Sequence, residues 1–329
     1  MSDDISYTLT KGKRIPVWFM RQAGRHMPKF KELVKDRWVT DVAVNPELAA
    51  EIAAEPVFLL GVDASIIFMD ITTPLELLGF KFKYAKGRGP VYVDELDKLY
   101  RDVTPDLVEK WEPIKEQIKL LKKIKLNVIG FGAGPFTLMT YLLNDEHKDK
   151  LKTKEFLYRT AIEKLSPLAE LLTEQARFQF ENGIDVFQIF DSWAGSLSGN
   201  LLESYVKVLT KVFDGLEKYS KRIIYFCRNC NMLLDSLAAT SFKGYLSVDW
   251  NCDLKVIHKS FNGRVGLQGN LDPFYAYVGG KSMLDEANKI LTEVPDYNHY
   301  IFNLGHGVLP GTSAENLKLL ADHVKNWQI

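Results

Sequence analysis

The sequence has little of what marks several large classes of protein. It contains only three cysteines in 329 residues, which is too few for the disulfide framework of a small secreted domain. No apolar run reaches the ~18 residues that a membrane-spanning helix needs. Residues 1–14 lack the apolar segment of a signal peptide. These absences favour a protein of the reducing cytoplasm.

An excess of charge of either sign is also missing. Lysine plus arginine and aspartate plus glutamate each number 42, so the formal net charge is zero at neutral pH. Proteins that bind nucleic acids or anionic membranes generally carry a basic excess, so we expect neither partner. Affinity for a polyanionic small molecule would have to come from a few well-placed arginines.

What recurs instead is a short apolar run that ends in a polar or glycine-rich cluster. Runs that are apolar without alternation are typical of strands buried on both faces, as in parallel sheets. Helical segments lie between them: Asn45-Pro46 is typical of a helix start and Gly61 of a helix end. The eight runs are residues 17–20, 64–69, 127–131, 184–190, 223–226, 245–249, 264–268 and 300–303.

Eight such runs alternating with helices predict an α/β protein with a (β/α)8 TIM barrel. We expect one domain over residues 1–329, with residues 1–14 as a flexible N-terminal segment. A doubly wound sheet is the alternative, but it expects a glycine fingerprint after the first strand, which Arg21-Gln22-Ala23-Gly24 is not. In a barrel, the clusters that follow the runs gather at the C-terminal rim, where barrel enzymes keep their chemistry.

Several familiar motifs fail when tested. Gly280-Lys281-Ser282 ends like a P-loop, but Tyr275 stands where the first glycine is required. The glycine-rich residues 130–135 lack the dinucleotide-binding spacing and indicate a tight turn after a strand. Ser192 lacks the flanking glycines of a hydrolase nucleophile.

The cysteines do not add up to a metal site. Cys227 and Cys230 form an isolated CxxC pair, and only Cys252 remains to add a third thiol, whereas a structural zinc site needs four ligands. A redox role would need a thioredoxin-like context, which is absent. We expect all three to be spectators and no metal to be bound.

Arg21 and Arg25 are the first candidates for anion binding. They could be an ordinary solvated pair, but Met20 and Met27 bracket them, and fixed guanidinium groups suit carboxylates.

Three more candidates lie farther along the chain. Asp70 ends the second run, where a lone carboxylate in apolar company would bind cationic or N–H groups or shift its pKa. Tyr141 fits either a pocket or the core, and His306 lies between two glycines at a strand end.

At these residues the sequence resembles the uroporphyrinogen decarboxylase family. The first matching stretch, PVWFMRQAGRHMP, and the last, FNLGHGVLPGT, are highly specific, and the stretches follow the family order over nearly the whole chain. They span residues 16–28, 68–79, 130–141, 190–195, 247–254, 265–273 and 302–312.

The resemblance implies a cofactor-free barrel that forms a homodimer in the cytoplasm. Its activity would be that of a carboxy-lyase of haem and porphyrin biosynthesis. It would convert the acetate side chains of the tetrapyrrole uroporphyrinogen III to methyl groups, giving coproporphyrinogen III and CO2, with the pyrrole ring as electron sink.

The resemblance also implies site residues. Arg21 and Arg25 would hold carboxylates, and Asp70 would face the pyrrole N–H groups. The catalytic residues would be Asp70, Arg21, Arg25, His306 and Tyr141. The substrate-binding residues would be Arg21, Gln22, Ala23, Gly24, Arg25, Asp70, Phe131, Tyr141, Ser192 and His306, with the backbone of residues 22–24 shaping the arginine loop.

Two positions depart from the family pattern. His26 stands where the family usually has tyrosine, and Val34 falls where a further arginine is common. Lys31 or Lys35 would supply charge there, but not the planar fork of a guanidinium group.

The proton donor stays open between Arg21, Arg25, His306 and ordered water. Arginine keeps its proton at neutral pH, whereas histidine has an intrinsic pKa near ~6.5.

Two other functions fit parts of the sequence. The related corrinoid methyltransferases share the barrel and bind zinc through histidine and cysteine, but they would need a cysteine near Leu304-Gly305-His306. A non-catalytic tetrapyrrole carrier would not require a carboxylate such as Asp70.

Overall fold

A parallel sheet of seven strands lies at the centre of the computed structural model, which describes residues 4–35, 37–84, 90–95 and 110–328. The strands, in chain order, are β1 (Ser65–Ile66), β2 (Phe82–Lys83), β3 (Val91–Tyr92), β4 (Val128–Ala133), β5 (Val186–Phe190), β6 (Ile223–Phe226), β7 (Tyr245–Ser247), β8 (Gly266–Leu271) and β9 (Tyr300–Leu304). The sheet order is β1-β4-β5-β6-β7-β8-β9, with every pair parallel. Seven of the eight predicted runs therefore form strands, and the predicted barrel architecture is confirmed.

Residues 16–20 close the barrel between β9 and β1. Val17 forms a parallel bridge with Phe302 of β9. On its other side the carbonyl oxygen of Val17 accepts from the Asp63 N–H at 2.8 Å, two residues before β1. The run predicted as the first strand thus occupies the eighth place, although it makes only this one bridge.

Side chains replace part of the missing strand ladder. The N–H of Phe19 donates to Gln22 Oε1, and the N–H of Met20 donates to Asn303 Oδ1, both at 3.0 Å. The fully buried Trp18 donates from Nε1 to Gln268 Oε1 of β8 at 2.9 Å. These bonds hold the closing segment without a regular strand.

Helices separate the strands and cover the outside of the sheet. In the part of the chain that is described, they are α1 (Ile5–Thr10), α2 (Pro28–Val34), α3 (Val39–Ala43), α4 (Pro46–Leu60), α5 (Thr73–Leu77), α6 (Glu112–Lys123), α7 (Pro135–Leu142), α8 (Leu151–Thr160), α9 (Ser166–Glu181), α10 (Gly199–Gly215), α11 (Asn231–Ala238), α12 (Leu254–Ser260), α13 (Pro273–Val278), α14 (Gly280–Glu293) and α15 (Ala314–Lys325). The start and stop predicted at Asn45 and Gly61 bound α4: Asn45 caps its N-terminus and Gly61 takes a left-handed φ of 73°.

The tight turn expected from the sequence is present, since Gly134 alone connects β4 to α7, and the two glycines within β4 serve close packing. A Cβ at Gly130 would collide with Gln179, and one at Gly132 would lie 2.7 Å from Leu172. Both partners lie on α9, whose Gln175 and Gln179 donate to the carbonyl oxygen of Phe131. The absence of side chains therefore lets α9 approach the strand.

The expectation of a flexible segment over residues 1–14 is not met from residue 4 onwards. Asp4 caps helix α1, whose Ile5 is fully buried, and Ser6 bonds Tyr245 of β7 at 2.9 Å. The segment is packed because its apolar side chains join the core at the base of the barrel. Residues 1–3 lie outside the described part.

The pair β2–β3 is a feature that the sequence did not predict. These two short strands run antiparallel, with Phe82 opposite Tyr92, and they stand outside the barrel sheet.

Among the described residues, no helix is long and apolar enough to cross a membrane.

Candidate active site

The two arginines expected to bind anions project from a loop anchored by apolar side chains. Arg21 leaves the closing segment with a left-handed φ of 62°. Met20 and Met27 are buried at either end of the loop, whereas Arg21 and Arg25 are exposed. Neither guanidinium group has an ion-pair or hydrogen-bond partner among the described residues. Both are available to an anion.

Gln22 shapes this loop from beneath. Its side chain is fully buried, with Nε2 donating to the carbonyl oxygen of Ala64 at 2.8 Å and Oε1 accepting from Phe19. Those bonds tie the loop to the residue before β1. The Gln22 side chain therefore faces the core, and what the loop offers to a ligand at this position is backbone.

Asp70 lies at the end of the segment that follows β1 and holds one carboxylate oxygen in place. Both the backbone N–H and the hydroxyl of Thr72 donate to Oδ1, at 3.0 and 2.7 Å. The turn continues into α5 through Thr73, which bonds the Asp70 backbone. The half-buried Asp70 has no described partner for Oδ2, so that oxygen is left for a ligand.

Tyr141 couples Asp70 to Arg21. Burial and the negative charge of Asp70 raise the pKa of Tyr141 to about 12, while the positive charge of Arg21 acts in the opposite direction. The Tyr141 ring lies 4.9 Å from the ring of Trp193. Tyr141 is therefore a protonated hydrogen-bond donor at neutral pH, beside both an anion and a cation.

His306 lies close to Arg21 on the turn after β9. A Cβ at the neighbouring Gly307 would collide with the Arg21 side chain, which lies along that turn. Burial, followed by the charges of Arg21 and Arg228, lowers the pKa of His306 to about 4. The imidazole is therefore neutral near pH 7 and holds no spare proton there.

A row of aromatic rings runs along the strand ends beneath these groups. Phe131 of β4 meets Phe190 of β5 edge to face at 5.5 Å, and Phe190 meets Phe226 of β6 at 6.0 Å. Phe226 in turn lies 5.9 Å from His306. The row gives the rim an apolar floor between Asp70 and His306 and includes the predicted pocket residue Phe131.

The structure connects some of the predicted residues more closely than others. Asp70 and Arg21 both act on Tyr141, and Arg21 also acts on His306. Ser192 follows β5 by two residues and is half-buried, and its side chain, like that of Arg25, makes no hydrogen bond within the described ranges. Ala23 and Gly24 lie on the loop between the arginines.

Asp191, next to Ser192, anchors the rim from inside. Its carboxylate is fully buried and accepts hydrogen bonds from the hydroxyls of Tyr205 and Tyr225 and from the N–H of Thr137 at 3.2 Å. Burial raises its pKa. The sequence signal was the same as for Asp70, a lone acid at a strand end, but nothing in the sequence shows that its partners lie on α7, α10 and β6.

The sequence analysis also passed over Arg228. It lies between Cys227 and Cys230, and only the cysteines were considered as candidates. Like Arg21, which directly follows the closing segment, Arg228 is a cation just after a strand, two residues beyond β6. Its charge reaches His306.

The three cysteines are buried free thiols. Burial raises the pKa of Cys227, and Cys230 and Cys252 also have raised pKa values in this thiol cluster. Within the described residues no group of three or more His, Cys, Asp or Glu side chains is arranged to hold a metal ion.

His26, one of the two departures, faces inwards. Burial lowers its pKa to about 4, and its Nε2 is buried without a hydrogen-bond partner. Lys31 and Lys35 are both exposed on or just after α2.

Comparison with known proteins decides the family. A family model described as uroporphyrinogen decarboxylase (URO-D) matches residues 8–327. The chain belongs to the uroporphyrinogen decarboxylase family. The uroporphyrinogen decarboxylase of Thermoplasma acidophilum is 36% identical over 327 residues, covering 94% of each chain. That of Aquifex aeolicus is 36% identical over 336 residues, covering 96% of this chain and 95% of the relative.

Solved structures agree with the fold of this uroporphyrinogen decarboxylase family member. A methyltransferase from Methanosarcina mazei superposes with a TM-score of 0.76 at 22% identity, covering 95% of this chain and 94% of that one. A B12-independent methionine synthase from Shewanella has a TM-score of 0.57 at 14% identity, covering 85% and 86%. At such identities the likeness extends to the barrel and not to the chemistry.

Proposed function

We propose that this chain removes the acetate carboxyl groups of uroporphyrinogen III, giving coproporphyrinogen III and CO2 in haem and porphyrin biosynthesis. Membership of the family makes it a carboxy-lyase. The observation that supports the assignment within this chain is the rim cluster itself. A carboxylate with a free oxygen, Asp70, lies near an unpaired arginine, Arg21, with Tyr141 coupled to both.

The reaction needs a place for the electron pair of the bond that breaks. Protonation of a pyrrole ring carbon gives a cation, and the loss of CO2 from the acetate returns the bond's electrons to that ring. A second proton on the exocyclic carbon completes the methyl group and leaves the ring cationic again. Loss of the first proton from the ring carbon to solvent then restores the pyrrole, so the net change is the replacement of CO2 by one H⁺. The pyrrole is its own electron sink, and no cofactor is required.

Asp70 would stabilise the cationic ring. Its free Oδ2 accepts hydrogen bonds from pyrrole N–H groups, and its charge opposes the developing positive charge, an arrangement preorganised by Thr72. Because the carboxylate is already fixed, it does not have to reorient as the reaction proceeds.

Arg21 and Arg25 would hold substrate carboxylates through charge-assisted bonds. Tyr141 would donate to a carboxylate or to Asp70, since a phenol whose pKa is about 12 keeps its proton. Phe131 and Ser192 would line the pocket, with the loop backbone at Gln22, Ala23 and Gly24 against the substrate.

His306 would act as a neutral hydrogen-bonding group that orients a side chain. Its lowered pKa makes it a poor reservoir of protons at neutral pH. The proton is therefore best supplied by ordered water.

We include in the proposal that each subunit is one barrel domain and that two subunits form a cytoplasmic homodimer, as the family resemblance implies. Light scattering during size-exclusion chromatography tests this assembly, with a molar mass twice that of the chain as the expected result.

The decisive experiment is anaerobic incubation with uroporphyrinogen III, oxidation of the products to porphyrins, and a chromatographic count of the carboxyl groups that remain. Stepwise loss of acetates down to coproporphyrin is expected. Binding without any loss would favour a carrier instead.

A further inference from the structure

Arg228 is a fixed cation at the rim that has no role in the reaction as proposed above. It follows β6 by two residues and is exposed. Its guanidinium carbon lies 5.5 Å from the ring centroid of Trp250, a residue in the segment after β7. Within the described part of the chain no carboxylate lies at ion-pair distance from it.

The backbone around Arg228 is held tightly. A Cβ at Gly195 would collide with the carbonyl oxygen of Arg228, so the turn after β5 packs directly on this one. The next residue, Asn229, adopts a left-handed φ of 52° and donates its N–H to Asp249 Oδ2 at 2.6 Å. The guanidinium therefore projects from an ordered base.

Asp249 does not neutralise this cation. Its side chain is fully buried, Oδ2 is occupied by the Asn229 N–H, and Oδ1 accepts from the Asn251 N–H at 2.9 Å. Asp249 thus shapes the turns after β6 and β7, and the exposed face of Arg228 remains electropositive.

Two contacts place Arg228 on the His306 side of the rim. The ring of Phe226, two residues before it, lies 5.9 Å from His306. The backbone of Trp250, on whose ring it stacks, packs against Gly305, where an added Cβ would lie 2.8 Å from the Trp250 nitrogen.

The charges divide the rim into two halves. Arg21 influences both Tyr141 and His306. Asp70 acts on Tyr141, whereas Arg228 lowers the pKa of His306 against a smaller, opposing effect of the buried Asp249. Arg21 therefore lies between an acidic half, where the reacting ring would be stabilised, and a cationic half that includes Arg228.

We propose that Arg228 binds a carboxylate on a pyrrole ring other than the one that is losing its acetate carboxyl group. This inference rests on the proposed function, because uroporphyrinogen carries an acetate and a propionate on every ring and the reacting ring accounts for only one pair of them. A guanidinium stacked on an indole keeps its edge free for a bidentate bond to a carboxylate. Arg228 thus sets the affinity and orientation of the macrocycle rather than the rate of bond cleavage.

The test compares wild type, Arg228→Gln, Arg228→Lys and Arg159→Gln. Arg159 is an exposed arginine on α8, paired with Glu155, and serves as the control for loss of a guanidinium. Quenching of tryptophan fluorescence under anaerobic conditions gives the Kd for uroporphyrinogen III and, separately, for coproporphyrinogen III, which retains only the propionates. Steady-state turnover of uroporphyrinogen gives kcat and KM.

Arg228→Gln is expected to raise the Kd and KM for uroporphyrinogen about tenfold, the loss of one charge-assisted contact, with kcat within about twofold of wild type. Arg228→Lys is expected to recover part of the loss, and Arg159→Gln to match wild type. A parallel loss for coproporphyrinogen assigns the contact to a propionate, and a loss for uroporphyrinogen alone assigns it to an acetate.

Unchanged Kd values for both porphyrinogens would overturn the proposal, as would a fall in kcat with unchanged KM. If the wild-type protein bound uroporphyrinogen III but did not decarboxylate it, the proposed function would be refuted. The comparison of Kd values between wild type and the Arg228 variants would still test the role of Arg228. Thermal unfolding of each variant checks the fold. If Arg228→Gln does not fold, Arg228→Met, which keeps the stem over Trp250, gives the same comparison.

Discussion

The two carboxylate oxygens of Asp70 have different roles: Oδ1 accepts hydrogen bonds from Thr72, and Oδ2 is left for the substrate. This difference predicts the effect of replacing Asp70 by asparagine. In Asp70→Asn the amide can keep the bond from Thr72 to its remaining oxygen, but it carries no charge to oppose a cationic pyrrole. We expect kcat to fall by roughly 10²–10³, as when an electrostatic stabiliser is removed, with the melting temperature nearly unchanged. Porphyrin chromatography and thermal unfolding measure the two quantities.

Asp235→Asn is the matched control for this change, because Asp235 is exposed on α11. It should retain full turnover. A folded Asp70→Asn protein with near-normal kcat would show that the anion is not what stabilises the transition state.

The two half-buried imidazoles, those of His26 and His306, predict a stability that depends on pH. The pKa values of His26 and His306 are lowered to about 4, below the ~6.5 of an unfolded chain. Between these values the unfolded state binds more protons, so the free energy of unfolding rises with pH from about 4 to about 6.5 and then levels.

His26→Phe removes one of these groups, together with its unpaired Nε2. We expect the drop in unfolding free energy between pH ~7.5 and ~5 to shrink by about 1 kcal/mol, after allowing for partial solvent exposure. Urea unfolding at both pH values measures it, with the exposed His147→Asn as control. An identical drop in His26→Phe and wild type would argue that the pKa of His26 is the same in the folded and unfolded protein.

How far single site residues could be predicted depended on whether their signal was local. Arg21, Asp70 and His306 follow apolar runs, and the barrel rule brings strand ends together, so their proximity was predictable. That the Gln22 side chain turns inwards to Ala64, and that the charge of Arg228 acts on His306, depends on contacts between distant segments. The local sequence around Gln22 and Arg228 carries no signal for these long-range contacts, so they could not be predicted.

At the scale of elements, the turn from β6 into α11 contains thiols that the chemistry does not use. Cys227 and Cys230 are buried with raised pKa values, so they are neither nucleophiles nor ready metal ligands. The double variant Cys227→Ser/Cys230→Ser should keep kcat within about twofold. Its melting temperature should fall by a few degrees, because buried hydroxyls need partners that thiols do not.

Metal analysis completes that test. Zinc is expected well below one atom per chain in both wild type and the double variant, and Cys252→Ser serves as a third comparison. Stoichiometric zinc in wild type that disappears together with activity would restore the methyltransferase alternative.

The elements themselves were largely predictable because buried parallel strands have a simple signature. Seven runs without polar alternation became strands. The eighth, residues 17–20, has the same composition but bonds Gln22 and Asn303 side chains in place of a ladder, and composition cannot distinguish the two. The β2–β3 pair escaped prediction because neither of its two short strands lies in an uninterrupted apolar run of four or more residues.

For the whole molecule, neutrality predicts a weak response to salt. Equal numbers of acidic and basic residues produce little long-range attraction for a polyanion, so capture depends on a few close contacts that salt screens poorly once water is displaced. We expect kcat/KM for uroporphyrinogen to fall only about two- to threefold between ~50 and ~250 mM salt.

Arg25→Lys keeps the charge but loses the planar fork, so it should lower kcat/KM by about tenfold at every salt concentration. Lys281→Gln, which removes an exposed charge on α14, is the control. If the lysine variant matched wild type while salt abolished activity in both, diffuse surface charge would govern capture.

The closing segment also constrains when the site can exist during synthesis. Met20 is tied to Asn303, 283 residues later in the chain, and Val17 bridges Phe302. The arginine loop leaves the ribosome among the first residues, yet the strand that positions it is translated near the end. In a nascent chain the loop that bears Arg21 and Arg25 is therefore not ordered until β9 has been translated. Premature termination upstream of residue 300 leaves a chain without a site, however well its other strands have assembled.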